Sequence, residues 1–369
     1  MRVDTGSVLY ACGPMRWIIY GDILSRHAVD SLVDALQAGG HDVVEVPAVS
    51  RSHKFGPDAN TEAESRRRIE AALPADALFN FRPEELTPSV LERVRARGVT
   101  TAVWFADDPL LFRVCYKHVA QAYDLTLHTG REDVLAFYEK RLGVRGYSFP
   151  FWTDDAHYPY TYDPDAAEIE LGFLGNCSGP RRSERYDLLA SLPFRVRFYG
   201  RLPENGNDRA GIHGGVLERE EIPDAIREFR VAINMSQSFV GIRDRYSFRA
   251  LDRFGEFFFP SRLVLYAATG NPTVSIGRRG ASPPFGSVIM ATTQEEAIGQ
   301  VQALLGDRDA LLEVSRAGRR EFESCLSAET RAALLLHLVQ GRRDHDRSTR
   351  AELWRNFGPA RIARPEVAA

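Results

Sequence analysis

The chain has 369 residues, 44% of them hydrophobic and 26% charged, with a formal net charge of −3. That length exceeds what one hydrophobic core usually supports, so two domains are expected, and the composition excludes a disordered chain. The near-neutral charge gives no electrostatic reason to expect nucleic acid or an anionic membrane as partner. Cys12, Cys115, Cys177 and Cys325 lie far apart without a Cys-x-x-Cys pair, which argues against a zinc site and a secreted disulfide framework and fits a reducing, cytoplasmic setting. The longest apolar runs, LLLHLV and WIIY, fall far short of the roughly 18 residues that a membrane span needs, and no signal peptide is expected.

The elements begin with RWIIYGD (16–22), a short apolar strand ending in Gly-Asp. SRHAVDSLVDALQAGGHDVVEV (25–46) follows as an amphipathic helix, a Gly-Gly stop and a second strand, which together make a βαβ unit. The pattern recurs as the strand DALFNF (76–81), the helix TPSVLERVRARG (87–98) and the strand VTTAVWFADDP (99–109). A helix over 110–121, a strand over 123–129, a helix over 131–142 and a short strand over 146–152 complete a first domain. Residues 153–168, rich in Asp, Pro and Tyr without periodicity, read as a linker, so the boundary is placed at 163/164.

A second series opens with the strand IELGFLGN (169–176), the helix RRSERYDLLASL (181–192), the strand FRVRFYG (194–200), the helix EIPDAIREF (221–229) and the strand VAINMS (231–236). After an aromatic and arginine-rich stretch come the helix PSRLVLYAATG (260–270), the strands NPTVSIG (271–277) and SVIMA (287–291), and helical segments to about residue 340. Such alternation predicts an α/β protein of two Rossmann-like, doubly wound domains facing a cleft: 1–163, 164–344, and a charged segment 345–369 that crosses back to the first domain. Strand C-termini and helix N-termini in such sheets favour phosphate.

PSRLVLYAATGNPTVS resembles the donor-site helix of GT-B glycosyltransferases, with Pro260, Arg262, Leu263, Tyr266, Ala268, Gly270 and Pro272 at the matching positions. Leu265 stands where that family has the Glu that hydrogen-bonds the donor ribose. LGFLGNCSGPRRSERYDLLASL (171–192) is similar to the Phe-x-Gly-Asn, arginine and leucine-helix unit of CgeB-like glycosyltransferases, and the matches together span roughly residues 76–335. The resemblance implies a GT-B glycosyltransferase whose first domain binds an acceptor and whose second binds a nucleotide-sugar, a co-substrate beside which no cofactor or obligatory metal is expected. The implied donor contacts are Gly175, Asn176, Arg181, Arg182, Gly200, Arg201, Arg262, Tyr266, Gly270 and Asn271. Without a G-x-G-x-x-G or a G-x-x-x-x-G-K-[ST] segment, a dinucleotide oxidoreductase or P-loop enzyme loses its best support.

Asp107 and Asp108 close a buried strand of the first domain, where a partly desolvated carboxylate serves as general base toward an acceptor hydroxyl. A helix cap explains one of them equally well. Asp22 and His27, in the loop after the first strand, are further catalytic candidates, although a surface helix start also accounts for them. GIRDRYSFRALDRFGEFFF (241–259) is read as a donor or acceptor loop or an oligomer interface, and Glu256 within it as the nearest acidic substitute for the missing ribose contact. Asp163-Pro-Asp165 and Asp344-His-Asp346 mimic a metal-binding Asp-x-Asp but follow no strand and are set aside. The partners expected are a nucleotide-sugar donor and a small-molecule or glycan acceptor; the alternatives are a non-catalytic sugar-nucleotide or glycan-binding protein on the same fold and a non-glycosyl α/β transferase or epimerase sharing the twin Rossmann plan.

Overall fold

The computed structural model describes residues 13–21, 26–49, 58–108, 111–130, 132–178, 183–203, 206–235, 260–277 and 286–343. The described residues divide into two compact units, unit 1 from residues up to 152 together with 328–343, and unit 2 from residues 153–327. Each carries a six-stranded, all-parallel sheet with flanking helices, so the fold is α/β with two Rossmann-like units.

In unit 1 the strands are β1 (Arg16–Tyr20), β2 (Asp42–Val46), β3 (Ala77–Asn80), β4 (Thr100–Phe105), β5 (Leu125–His128) and β6 (Gly146–Ser148), in the order β2-β1-β3-β4-β5-β6. The central strands β3 and β4 are buried along their whole length, which is why they read as continuous apolar or β-branched runs rather than as alternating ones. Helices α1 (Arg26–Ala38), α2 (Ala59–Ala72), α3 (Pro88–Arg95) and α4 (Glu132–Leu142) provide the crossovers. Thr87 caps α3 and Asp58 caps α2, each side chain accepting a first-turn N–H. Trp104 and Trp152 pack in the core with their rings tilted by 55° and ring centroids 4.7 Å apart, and each buried indole N–H reaches a carbonyl, Phe149 O at 2.8 Å and Ala28 O at 2.7 Å.

Unit 2 holds β7 (Ile169–Leu174), β8 (Val196–Tyr199), β9 (His213–Gly215), β10 (Phe229–Met235), β11 (Thr273–Ile276) and β12 (Ile289–Ala291), ordered β12-β11-β10-β7-β8-β9. Its helices are α5 (Ser183–Ser191), α6 (Ile222–Arg227), α7 (Ser261–Thr269), α8 (Gln294–Gly306) and α9 (Arg308–Glu321). Leu171, Phe173, Phe198, Ile233 and Val274 of the strands meet Leu189, Val301 and Leu311 of the helices in one cluster.

The division of the chain puts residues 153–163, read above with the first domain, in unit 2. Thr153 is sealed there by a parallel bridge to Ser327, and Asp155 pairs with Arg319 at 2.5 Å. The last described helix, α10 (Ala328–Arg343), was read as the end of the donor domain and belongs to unit 1. It packs on α1, with Ala332, Leu335, Leu336 and Val339 buried and the Arg331 guanidinium 5.2 Å over the Phe149 ring. The segment 345–369 lies outside the described residues. Among the described residues no helix is long and apolar enough to cross a membrane.

Candidate functional site

Numbered within unit 2, the strands run 3-2-1-4-5-6, so the direction of winding reverses between β7 and β10. In such a sheet the crevice beyond the strand C-termini at that reversal is where ligands bind, because the two crossovers diverge there. Gly175 follows β7 with φ 148°, and Gly200 follows β8 with φ 142°. Both backbones lie where a side chain has no room: a Cβ on Gly200 would run into the Gly175 carbonyl, and one on Gly175 would come within 2.7 Å of Arg262 Nη2. Arg262 opens α7 and lays its guanidinium 5.0 Å over the Phe173 ring, with Nη1 donating to Asn234 Oδ1 at 3.1 Å.

The neighbouring turns are tied together. Asn176 Oδ1 accepts the Arg201 N–H at 3.1 Å, the Cys177 N–H donates to the Arg201 carbonyl at 2.9 Å, and Arg185 Nη1 donates to the Asn176 carbonyl at 3.2 Å. His213 Nε2 donates to the Gly200 carbonyl at 2.7 Å. Five of the expected donor residues, Gly175, Asn176, Gly200, Arg201 and Arg262, therefore converge at the end of the sheet where β7 and β8 terminate. Arg181 and Arg182 lie outside the described residues, as do the stretch 241–259 and its Glu256.

Three expected donor residues are corrected by their positions. Tyr266 is fully buried and its hydroxyl, pushed up to about 12 chiefly by burial, accepts the Leu174 N–H at 2.9 Å, so it clamps α7 to β7. Gly270 is the left-handed cap of α7, φ 88°, and Asn271 donates from Nδ2 to the Ile226 and Phe229 carbonyls at 3.1 and 2.9 Å. Both stand where β11 begins, at the end of the sheet opposite Arg262, because α7 runs antiparallel to the strands. Leu265 is 6% exposed, on the same helix.

In unit 1 the two carboxylates after β4 differ. Asp107 is exposed and its N–H donates to Tyr116 Oη at 3.2 Å, above a π-helical turn Phe112–Tyr116. Asp108 is sealed, its oxygens meeting His128 Nδ1 and Tyr138 Oη at 2.6 Å each. Burial, with Asp108 beside it, holds the Tyr138 hydroxyl well above its ordinary range, so it remains a donor. Asp108 is thus structural, which corrects its reading as a base, and Asp107 is the carboxylate that solvent reaches. Asp22 lies outside the described residues, and His27 is half-buried in the first turn of α1.

Sequence reasoning passed over two groups. Asn234 and Ser275 are buried polar residues on β10, at the reversal of unit 2, and on its neighbour β11, and a carboxamide after the apolar run Val231, Ala232 and Ile233 was the available signal. In unit 1 the strand order reverses between β1 and β3, where the stem of Arg82 lies against Gly21 and its guanidinium pairs with Glu84 at 2.7 Å and Glu85 at 3.6 Å. Glu85 also accepts Tyr20 Oη at 2.9 Å and the Val49 N–H at 3.0 Å. The charged run after DALFNF was the signal for that cluster. Among the described residues no group of His, Cys, Asp and Glu is arranged to hold a metal ion.

Comparison with known proteins gives one family match: residues 181–337 fit the family model described as glycosyl transferase-like. No curated protein matches the chain. Among solved structures, a protein assigned as a UDP-N-acetylglucosamine 2-epimerase from Listeria monocytogenes superposes with TM-score 0.55 at 10% identity, covering 90% of this chain and 98% of that one. A UDP-GlcNAc 2-epimerase from Neisseria meningitidis bound to UDP-GlcNAc superposes with TM-score 0.50 at 9% identity, covering 88% and 99%. A structure of accessory secretory proteins 1, 2 and 3 in Streptococcus pneumoniae gives TM-score 0.50 at 10% identity, covering 77% and 58%. At these identities the likeness is one of fold, the two-Rossmann GT-B plan, which this chain shares.

Proposed function

We propose that the protein is a glycosyltransferase of the GT-B class, of the CgeB-like kind. Unit 2 binds a nucleotide-activated sugar and unit 1 the acceptor. The observation that carries this reading is the convergence of Arg262 with the bare backbone of Gly175 and Gly200 at the strand reversal of unit 2. A guanidinium beside two turns with no Cβ offers a diphosphate both a close approach and a charge-assisted donor. Negative charge grows on that diphosphate as the glycosidic bond breaks, and Arg262 and Arg201 stabilise it in place of a divalent cation. Asp107 accepts the proton of the acceptor hydroxyl.

The UDP-GlcNAc held by the Neisseria protein supports a nucleotide sugar as the first donor class to try. The buried Leu265 favours a second reading, a binding protein that holds a sugar nucleotide without turning it over, since no carboxylate stands at the expected ribose position. Incubation with a panel of nucleotide sugars, following release of free nucleoside diphosphate with and without EDTA, separates the two. Release that survives EDTA and falls in Arg262→Ala and Asp107→Asn supports transfer; saturable binding without release supports the second reading.

A further inference from the structure

Asn234 is the penultimate residue of β10 and is 3% exposed, following the buried apolar run Val231, Ala232 and Ile233. A carboxamide in such a place is costly unless its polar atoms are bonded. Arginine only donates, so the atom facing Arg262 Nη1 at 3.1 Å is Oδ1, and Nδ2 therefore faces Ser275 Oγ, at 2.8 Å. The Arg262 guanidinium is further set by the Phe173 ring and by the bare Cα of Gly175. The neighbouring strands β7, β10 and β11 each contribute a residue to this arrangement.

We infer that Asn234 is the positioning residue that aims Arg262 at the diphosphate of the donor, and that it is an amide because a neutral acceptor fixes the guanidinium without adding negative charge beside it. This rests on the donor-site reading of unit 2. An aspartate in its place offers the same acceptor atom, and Ser275 Oγ–H can turn to donate to it. The aspartate also sets a full negative charge about 3 Å from the guanidinium, which weakens the local attraction for an anion. A leucine of similar volume removes the acceptor and adds no charge. The two roles therefore rank the variants oppositely: packing and hydrogen bonding alone favour aspartate over leucine, whereas the charge-preserving role makes aspartate the more damaging.

The test is calorimetric titration of the full-length protein with uridine, guanosine, thymidine, cytidine and adenosine diphosphates, carrying the tightest of them through the parent, Arg262→Ala, Asn234→Asp and Asn234→Leu at low and moderate salt. Asn234→Asp is expected to weaken binding about tenfold or more, close to Arg262→Ala, with a shallower salt dependence than the parent; Asn234→Leu is expected to lose about threefold. Asn234→Asp binding as tightly as the parent, or tighter than Asn234→Leu, overturns the inference while leaving the donor-site reading intact. Undiminished binding in Arg262→Ala, or no diphosphate binding by the parent, overturns both. If Asn234→Asp does not fold, Ser275→Ala decides: about threefold weaker binding is expected from a loosened Asn234, and unchanged affinity overturns the proposal.

Discussion

The Asp108 carboxylate lies 2.6 Å from His128 Nδ1 with both side chains sealed from solvent, joining the turn after β4 to the end of β5 inside the core of unit 1. Tyr138 on α4 completes the arrangement from the other carboxylate oxygen. Removing one member of such a group leaves the others buried without their partner, which costs about 3–5 kcal/mol. Asp108→Ala is therefore expected to lower the urea midpoint sharply, and a midpoint within experimental error of the parent would contradict the structural role assigned here.

The neighbouring carboxylate should behave oppositely. Asp107 is exposed, so Asp107→Asn is expected to change stability by no more than about 0.5 kcal/mol. As general base its loss should lower turnover about 10²–10⁴-fold. Parent-like nucleotide release by a normally folded Asp107→Asn protein would remove Asp107 from the chemistry.

Gly200 has φ 142° and no room for a Cβ beside the Gly175 carbonyl. Gly200→Ala should cost about 1–3 kcal/mol in stability and spread the two turns. Nucleoside diphosphate affinity should fall with it, measured at a temperature where the variant remains folded by circular dichroism. Retained affinity would show that these turns do not contact the donor.

Leu265 is buried on α7, so Leu265→Glu places an unpaired charge in an apolar setting and is expected to cost several kcal/mol, roughly 3–5. Thermal unfolding checks the loss. A variant that folds normally and binds nucleotide sugars more tightly than the parent would instead favour the binding-protein reading.

His41 couples unit 1 to pH. It is 5% exposed, Nδ1 accepts the Met15 N–H at 3.2 Å, and burial holds its pKa below the ordinary 6.5. The unfolded state therefore binds a proton more readily than the folded one. Its stabilising contribution is fully present above about pH 6.5 and is lost progressively as pH falls from there toward the folded pKa. His41→Asn keeps an acceptor for the Met15 N–H and does not titrate, so its denaturation midpoint should fall less than the parent's between about pH 7 and 5. Parallel pH profiles would rule His41 out as the source.

The sequence by itself determined the alternation that makes two parallel sheets, since strand and helix periodicity are local properties of runs such as RWIIY, TTAVWF and IELGFL. It also determined the placing of Gly175, Gly200 and Arg262, because glycines at strand ends and a basic residue opening a helix are readable one segment at a time. Tertiary structure alone decided the rest. The nine residues of α7 rise about 1.5 Å each, so Arg262 and Asn271, nine positions apart in one motif, lie at opposite ends of the sheet. Asp107 and Asp108 are adjacent in sequence, yet their fates depend on His128 and Tyr138, partners supplied by β5 and α4. The helix 328–343 is apolar around much of its circumference, so no stripe in its sequence names the unit it covers, and only its packing on α1 does so. Asn234 escaped notice for the same reason: a polar residue in a buried strand acquires its meaning from Ser275 and Arg262, which only the folded chain brings to it.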